Sequence, residues 1–316
     1  MILGLIPSRL NSKRLKHKPL LNIDGIPIIV HTFKRAMLSK KLDRVIVCCD
    51  DKKIFDVVKK HGGEAILTSK KHKNGTERIF EVAKKFKPKY VVDVQGDEPF
   101  VDPKDIDRVI DFHKKKSTFD IVVPSMMAEH NASSRNLVKV VFSDNGKILY
   151  FSRALVPYDY KNIKNKYYRD LSIVSFKYDA IKKYNSFKQG KIEKIEGIEL
   201  IRAIENNLNL GTFVATNSGF AVDVNQDLMK AIDLMPYDKI RKLYQDISIL
   251  MKDKKLYLFD LDGVIIDSKQ NMRISWNSVN KKYGLKIPFN KYFFLIGRDF
   301  QDILNKLKIK NKNLKI

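Results

Sequence analysis

The stretch "IPSRLNSKRLKHKPLL" at residues 6–21 places Arg9, Lys13, Arg14, Lys16 and Lys18 within ten positions, directly after an apolar run. Cations crowded on one short loop repel one another, and an anionic guest reverses the sign of that interaction. At an effective dielectric of about 20, each unit pair near ~4 Å is worth roughly 4 kcal/mol, and a triphosphate collects that gain several times. The chemistry this suits is phosphoryl or nucleotidyl transfer, which rests on positioning and charge neutralisation and needs no covalent nucleophile. A solvated basic loop in a Lys-rich chain explains the same charges, so the residues that accompany the loop must decide.

Two carboxylates could complete such a site. In "VVDVQGDEPF", Gln95 and Gly96 lead to Asp97 just past a strand-like run, with Pro99 ending the strand pattern. In "SGFAVDVNQDLMKAI", Asp223 follows a short apolar run and precedes a helical pattern. Hard divalent cations in nucleotide sites are held by one or two carboxylates together with phosphate oxygens, so Asp97 and Asp223 are candidate ligands of Mg2+. A third piece, "HKNGTERI", sets Asn74, Gly75 and Thr76 before a helix carrying Arg78. A helix start of this kind exposes backbone N–H groups to an anion or a carbonyl-rich base.

The elements that must position these residues are legible as patterns. "ILGLIP", "RVIVCC", "EAILT" and "KYVVDVQ" alternate with helical stretches through the first third. That alternation predicts parallel strands with crossover helices, and the loop leaving the first strand then lies where such sheets bind ligands. Pro103 opens a helix running toward Lys116. Between 119 and 180, short strands separated by turn residues, with "SDNGK" as a hairpin signal, predict a mixed or antiparallel extension. Helical periodicity returns over 193–234 around "IEGIELIRAIENNL", interrupted by the short run "GTFVAT", and a helix-like stretch at 236–252 precedes a new strand pattern. The expected fold class is α/β, a doubly wound, mostly parallel sheet, with domains at 1–252 and 253–316.

Composition narrows the function classes. The 316 residues are 44% hydrophobic, enough for a substantial core, and Lys+Arg at 61 against Asp+Glu at 36 gives a formal charge of +25. The excess is mostly Lys spread over helix faces, and no nucleic-acid-binding motif accompanies it, so nucleic acid is not an expected partner. Cys48 and Cys49 are adjacent in an apolar run, pointing to opposite faces of a strand, which suits a reducing compartment without disulfides. No Cys or His pair sits at metal-ligand spacing. With no leader-like segment and no run of about 20 apolar residues, a cytoplasmic protein without membrane association is expected. A dehydrogenase is disfavoured because no strand-to-helix turn carries G-x-G-x-x-G.

Taken together, residues 1–232 resemble the 3-deoxy-manno-octulosonate cytidylyltransferases. "IPSRLNSKRLKHKPL" matches the family's I-P-A-R-x-x-S-T-R-L-P-x-K-P-L, "HKNGTERI" its H-x-S-G-T-E-R, and "VQGDEP" its V-Q-G-D-E-P. "VKVVFSDNGKILYFSRALVPYD" follows V-K-V-V…Y-F-S-R-x-x-I-P, and "FAVDVNQDL" follows G-V-D-T-P-E-D-L. The resemblance implies a Rossmann-like nucleotidyltransferase that moves CMP from CTP to the 2-hydroxyl of a 3-deoxy-2-keto sugar acid, releasing pyrophosphate, for lipopolysaccharide or surface polysaccharide synthesis. It assigns Arg9, Arg14 and Lys18 to the triphosphate, and Gly75, Thr76, Arg78 and Gln95, beside Asn74, to the nucleotide. Asp97 and Asp223 fall at its magnesium carboxylates and Arg153 at the acidic sugar. A homodimer joined through the antiparallel extension is also implied.

Two departures bear on the sugar. The family's H-L-G-I-Y-G corresponds here to Asp170-Leu171-Ser172-Ile173-Val174-Ser175, and its E-Q-L-R region is set against Arg202-Ala203-Ile204-Glu205. A pocket that loses such groups is expected to take a modified or different sugar acid, with Asp170 meeting an amino or hydroxyl group. Farther on, "YLFDLDGVIIDS" at 257–268 resembles the first motif of haloacid-dehalogenase-type phosphatases, in which Asp260 would be the nucleophile and Asp262 the acid/base. The later motifs of that family have no sequence to occupy, so phosphatase activity is not expected from this fragment. The rival readings are a nucleotidyltransferase for a sialic-acid-like or other acidic sugar, and a basic RNA-binding or regulatory scaffold.

Overall fold

The computed structural model describes residues 1–12, 14–128, 132–163, 165–216 and 219–244, with short stretches between 275 and 307. The chain divides into two compact units, Met1–Tyr244 and Gln245–Ile316. The first is organised by β1 (Ile2–Ser8), a strand buried at every residue because the sheet is covered on both faces. A small hairpin, β2 (Asn22–Ile23) with β3 (Ile26–Pro27), follows the basic loop. β4 (Arg44–Cys49) and β5 (Ala65–Leu67) extend the sheet parallel on one side of β1, and β6 (Tyr90–Val94) lies parallel on the other.

Four helices connect these strands: α1 (Ile28–Ala36), α2 (Lys52–Lys60), α3 (Gly75–Phe86) and α4 (Pro103–Lys115). Asp51, Asn74 and Asp102 cap α2, α3 and α4 with their side-chain oxygens, each satisfying an orphan N–H of the first turn. The helices bury apolar faces on both sides of the sheet. One core gathers Ile6, Phe33, Val58 and Ile106, and the other Leu5, Ile79, Phe151, Phe176 and Tyr184. Each such side chain contributes about 1.5–3 kcal/mol of burial. Cys49 belongs to the first core and Cys48 to the second, both as buried free thiols, as the strand's alternation predicts.

The extension is mixed. β7 (Ile121–Val122) joins the main sheet, β8 (Ser125–Met127) leaves it, and β9 (Lys139–Phe142) turns through the Ser143–Lys147 hairpin into β10 (Ile148–Ser152). With β11 (Tyr168–Asp170) these form a four-stranded antiparallel sheet ordered β10-β9-β11-β8. β12 (Ile173–Lys177) then returns to the main sheet, antiparallel to both β6 and β7, and β13 (Leu210–Gly211) closes it parallel to β7. The main-sheet order is β13-β7-β12-β6-β1-β4-β5.

Two sequence expectations change. The helical pattern of "IEGIELIRAIENNL" is itself broken: α5 (Tyr178–Ser186) is followed by α6 (Lys191–Glu196) and α7 (Ile201–Glu205), while α8 (Asn225–Leu234) comes after β13, at the expected interruption. Gly197, at φ +64 in the left-handed region that favours glycine, ends α6. The stretch from 236 is not a continuous helix where it is described, but two 3-10 turns, Met235–Tyr237 and Arg241–Tyr244. Those turns are fastened to α1 and to the β2–β3 turn by polar contacts. Arg35 donates to Asp238 and to the Val101 carbonyl, and Arg241 donates to Asp24. His31 Nε2 donates to the Ile23 carbonyl at 2.7 Å, which leaves Nδ1 to accept from the Tyr244 hydroxyl at 2.8 Å.

In the second unit the described residues include short helices at Phe289–Phe293 and Phe300–Lys306, with Trp276 stacked on Tyr292 at 4.1 Å between ring centroids. The "YLFDLDGVIIDS" motif lies outside the described residues.

Candidate active site

A cavity of about 630 Å³ opens at the carboxyl ends of β1 and β6, and Arg9, Arg14, Lys18, Asn74, Gly75, Arg78, Gln95, Asp97 and Asp223 all line it. Such crevices beyond the strand ends are where open α/β sheets take ligands. The basic loop leaves β1 and ends in a 3-10 turn, Lys18–Leu20, whose Pro19 fixes the turn's start. That turn aims Lys18 at both acidic segments. Its Nζ donates to Asp97 Oδ2 at 2.6 Å and to Asp223 Oδ1 at 3.1 Å, groups 79 and 205 residues away in sequence. Arg14 adds a second cation to Asp223 at 3.0 Å. Burial alone would depress the Lys18 pKa, but the two carboxylates outweigh it and raise it, so the ammonium stays charged.

The aspartates are held by backbone. Gly96 lets the exit of β6 pass against the end of β1, since a Cβ there would stand 2.6 Å from the Pro7 carbonyl oxygen. The Val222 N–H donates to the Asp97 carbonyl at 2.9 Å, tying the two acidic segments together. Asp227 in the first turn of α8 accepts the N–H groups of Asp223 and Val224 at 2.9 and 3.0 Å. On the opposite wall, Asn74 Oδ1 accepts the Glu77 N–H at 2.8 Å, fixing the start of α3 beside Gly75.

Other predicted residues occupy more specific places. Arg78 borders the cavity, yet its guanidinium is 4% exposed as a residue and donates to Thr68 Oγ1 at 2.7 Å while facing Asp50 at 3.4 Å. It braces the ends of β4 and β5. Thr76 is buried and does not line the cavity; its N–H donates to Glu199 Oε2 at 3.4 Å. Gln95 lines it, and its Nε2 donates inward to Asp93 Oδ2 at 2.8 Å. Arg153 and Asp170 are not among the residues of the cavity wall. The Arg153 guanidinium donates to the carbonyls of Glu196, Arg135 and Gly197, the last of which borders the cavity. Asp170, on β11, has its carboxyl pushed up to about 6 by burial, with Arg169 opposing the shift.

Glu199 is a wall residue that sequence reasoning missed, as are Ser8, Ser12, His72 and Lys73. Setting the family's E-Q-L-R against residues 202–205 removed its acid, but the break at Gly197 brings Glu199, three residues earlier, to the cavity. Glu199-Leu200-Ile201-Arg202 therefore keeps the acid and the arginine of that pattern, with its glutamine replaced by buried Leu200 and its leucine by buried Ile201. Burial raises the Glu199 pKa, against hydrogen bonds from Thr76. Arg202 does not face the ligand space: it is buried, in a bidentate pair with Glu193 at 2.7 and 2.8 Å.

Among the described residues no group of three or more His, Cys, Asp or Glu forms a ready-made metal cage. The donor set nevertheless fits a hard divalent cation bound with its substrate: two carboxylates share one cation already, the Lys18 ammonium, and phosphate oxygens and water would supply the remaining ligands. No helix among the described residues is long and apolar enough to cross a membrane.

The comparison with known proteins agrees with this geometry. A family model for cytidylyltransferases matches residues 3–210. Relatives include the 3-deoxy-manno-octulosonate cytidylyltransferases of Leptospira biflexa, 39% identical over 232 residues, covering 72% of this chain and 93% of that one, and of Fusobacterium nucleatum, 35% identical over 243 residues, covering 76% and 98%. The solved structure of a CMP:2-keto-3-deoxy-manno-octonic acid synthetase complexed with CTP superposes with a TM-score of 0.72 at 30% identity, over 75% of this chain and 98% of that one. The 4-diphosphocytidyl-2C-methyl-D-erythritol synthase of Anaerococcus prevotii, at 16% identity and a TM-score of 0.50, shares the fold alone. The chain belongs to the cytidylyltransferase family, among the 3-deoxy-manno-octulosonate cytidylyltransferases, and is a nucleotidyltransferase.

Proposed function

We propose that this protein transfers CMP from CTP to the 2-hydroxyl of a 3-deoxy-2-keto sugar acid, Kdo or a modified Kdo, with Mg2+ bound by Asp97 and Asp223. The observation that carries the reading is the meeting of Lys18 with both aspartates at the mouth of a cavity lined by Arg9 and Arg14. In the reaction the sugar hydroxyl oxygen bonds to the α-phosphorus of CTP, the bond to the β-phosphate oxygen breaks, and the hydroxyl proton passes to solvent. Arg9, Arg14 and Lys18 neutralise charge on the departing pyrophosphate, which is where preorganised cations lower the barrier. When bound, Mg2+ supplies Lewis-acid polarisation of the phosphate oxygens.

The start of α3 and Gln95 face the nucleoside end of the cavity in this reading, and Glu199 faces the sugar. Three of the five Arg153 N–H groups are engaged by backbone carbonyls, which fixes the guanidinium and leaves one N–H on each terminal nitrogen for a sugar carboxylate. The exposed side chains of Leu155, Tyr158, Tyr160 and Ile163, beyond β10, support a homodimer through the antiparallel sheet, which sedimentation analysis would detect as a dimer mass. A cytoplasmic location accords with the substrate class.

The testing experiment measures pyrophosphate release from CTP, UTP and ATP with Mg2+ and a panel of 3-deoxy-2-keto acids that includes Kdo, an amino-substituted Kdo and a sialic acid. Release with CTP and an eight-carbon acid supports the reading. Release with another nucleotide, or with the sialic acid alone, overturns it.

A further inference from the structure

Asp93 has no part in the chemistry above. It lies on β6 in the middle of the sheet, 1% exposed, two residues before Gln95, which follows the strand's end at Val94. One of its oxygens, Oδ2, accepts from Gln95 Nε2 at 2.8 Å, and the other, Oδ1, is buried with no hydrogen-bond partner among the described residues. Burial pushes its carboxyl well above the ordinary range, Glu199 adds to the rise, and Gln95 opposes it. A buried polar atom left unmatched costs free energy, so a carboxyl here needs a reason to be kept.

The reason lies in what it does to Gln95. A glutamine amide has two unlike ends, an NH2 donor and a carbonyl acceptor, and the choice of end turned toward a ligand decides which ligand group is matched. One oxygen of Asp93 takes one N–H of the Gln95 amide, which turns the nitrogen toward the strand and leaves Oε1 as the amide's acceptor end for the cavity that Gln95 lines. We propose that Asp93 is a positioning residue that locks the Gln95 side chain with its nitrogen inward and its carbonyl oxygen toward the ligand, so that the site accepts a donor group there, a hydroxyl or amino group, and rejects a carbonyl oxygen. The assignment of that ligand to CTP or the sugar acid rests on the function proposed above; the orientation itself does not.

The test has two arms on the full-length chain. In the first, the Gln95 side-chain NH2 protons are assigned by NMR through their loss in Gln95→Ala, and their exchange with water is followed without ligand. The proposal expects slow exchange in the wild type and in Asp93→Asn, whose carbonyl still accepts, and fast exchange in Asp93→Leu, or in Asp93→Ala if leucine is not accommodated. Solvent-rate exchange in the wild type overturns it, whatever the protein's substrate. In the second arm kcat and KM are measured for both substrates. Asp93→Asn should stay within about threefold of the wild type, Asp93→Leu should lose about tenfold or more in kcat/KM, and that loss should vanish in the Gln95→Ala background. Equal losses in the Asn and Leu variants, or a Leu effect that simply multiplies with Gln95→Ala, would show a structural role only and sink the proposal. A wild type silent with CTP defeats the proposed function and leaves the first arm to decide this one.

Discussion

The single residue on which most depends is Lys18. Its ammonium bridges two carboxylates that chain connectivity alone would never bring together, and it is held at 13% side-chain exposure, where charge is weakly screened. Lys18→Met should lower kcat/KM by about 10²-fold or more, the usual effect of removing one preorganised charge from such a site. It should also leave Asp97 and Asp223 facing one another, so that the variant's melting temperature rises with added Mg2+ more than the wild type's does. Equal Mg2+ responses in calorimetry would argue against a shared cation position. Arg78, by contrast, is spent on Thr68 and Asp50, and its replacement by Lys should reduce stability more than it changes the affinity for CTP.

Elements explain why these side chains arrive where they do. Gly96 is the contact between the ends of β1 and β6, and Gly96→Ala would push a methyl group against the Pro7 carbonyl, at a cost of about 1–3 kcal/mol and with displacement of Asp97. Chemical denaturation would read the first effect and activity the second. Asn74→Ala should cost about 1 kcal/mol through loss of the α3 cap. The α1 contact with the 3-10 turns makes a prediction about pH. His31 is fully buried, and burial first, then Arg241 and Arg35, lower its pKa from 6.5 to about 3. Between those values the unfolded chain holds a proton on this ring that the folded chain does not, so stability rises with pH across the window and is lost as pH falls through it. The unfolding free energy of the wild type relative to His31→Gln should therefore decline by about 1.4 kcal/mol per pH unit below pH 6.5, and a flat difference would show that His31 charges in the fold.

At the scale of the molecule, what the sequence revealed followed from how local each signal is. Lys18, Asp97 and Asp223 sit in short motifs at strand ends, where residue type and neighbours already specify a turn, and the alternation of strands and helices through residue 94 fixes the parallel half of the sheet. The insertion of β12 between β6 and β7, antiparallel to both, was not legible, because strand partners are chosen by tertiary packing and not by the strand's own residues. Glu199 was hidden for a related reason: the helical spacing within "IEGIELIRAIENNL" suggested one helix, and the left-handed Gly197 that breaks it and turns the acid to the cavity was the signal available. All the described residues that line the cavity lie within Met1–Tyr244, so a chain ending at Lys252 should keep CTP-dependent pyrophosphate release within about twofold of the full chain, as a direct assay would show. The central claim is that Asp97 and Asp223 serve one cation on one nucleotide, and the most direct measurement is a double-mutant cycle of Mg2+-dependent CTP binding by calorimetry. Asp97→Asn and Asp223→Asn should each weaken binding, and the double variant should be little worse than either alone. Independent, multiplying losses, or CTP binding that ignores Mg2+ in the wild type, would contradict the account.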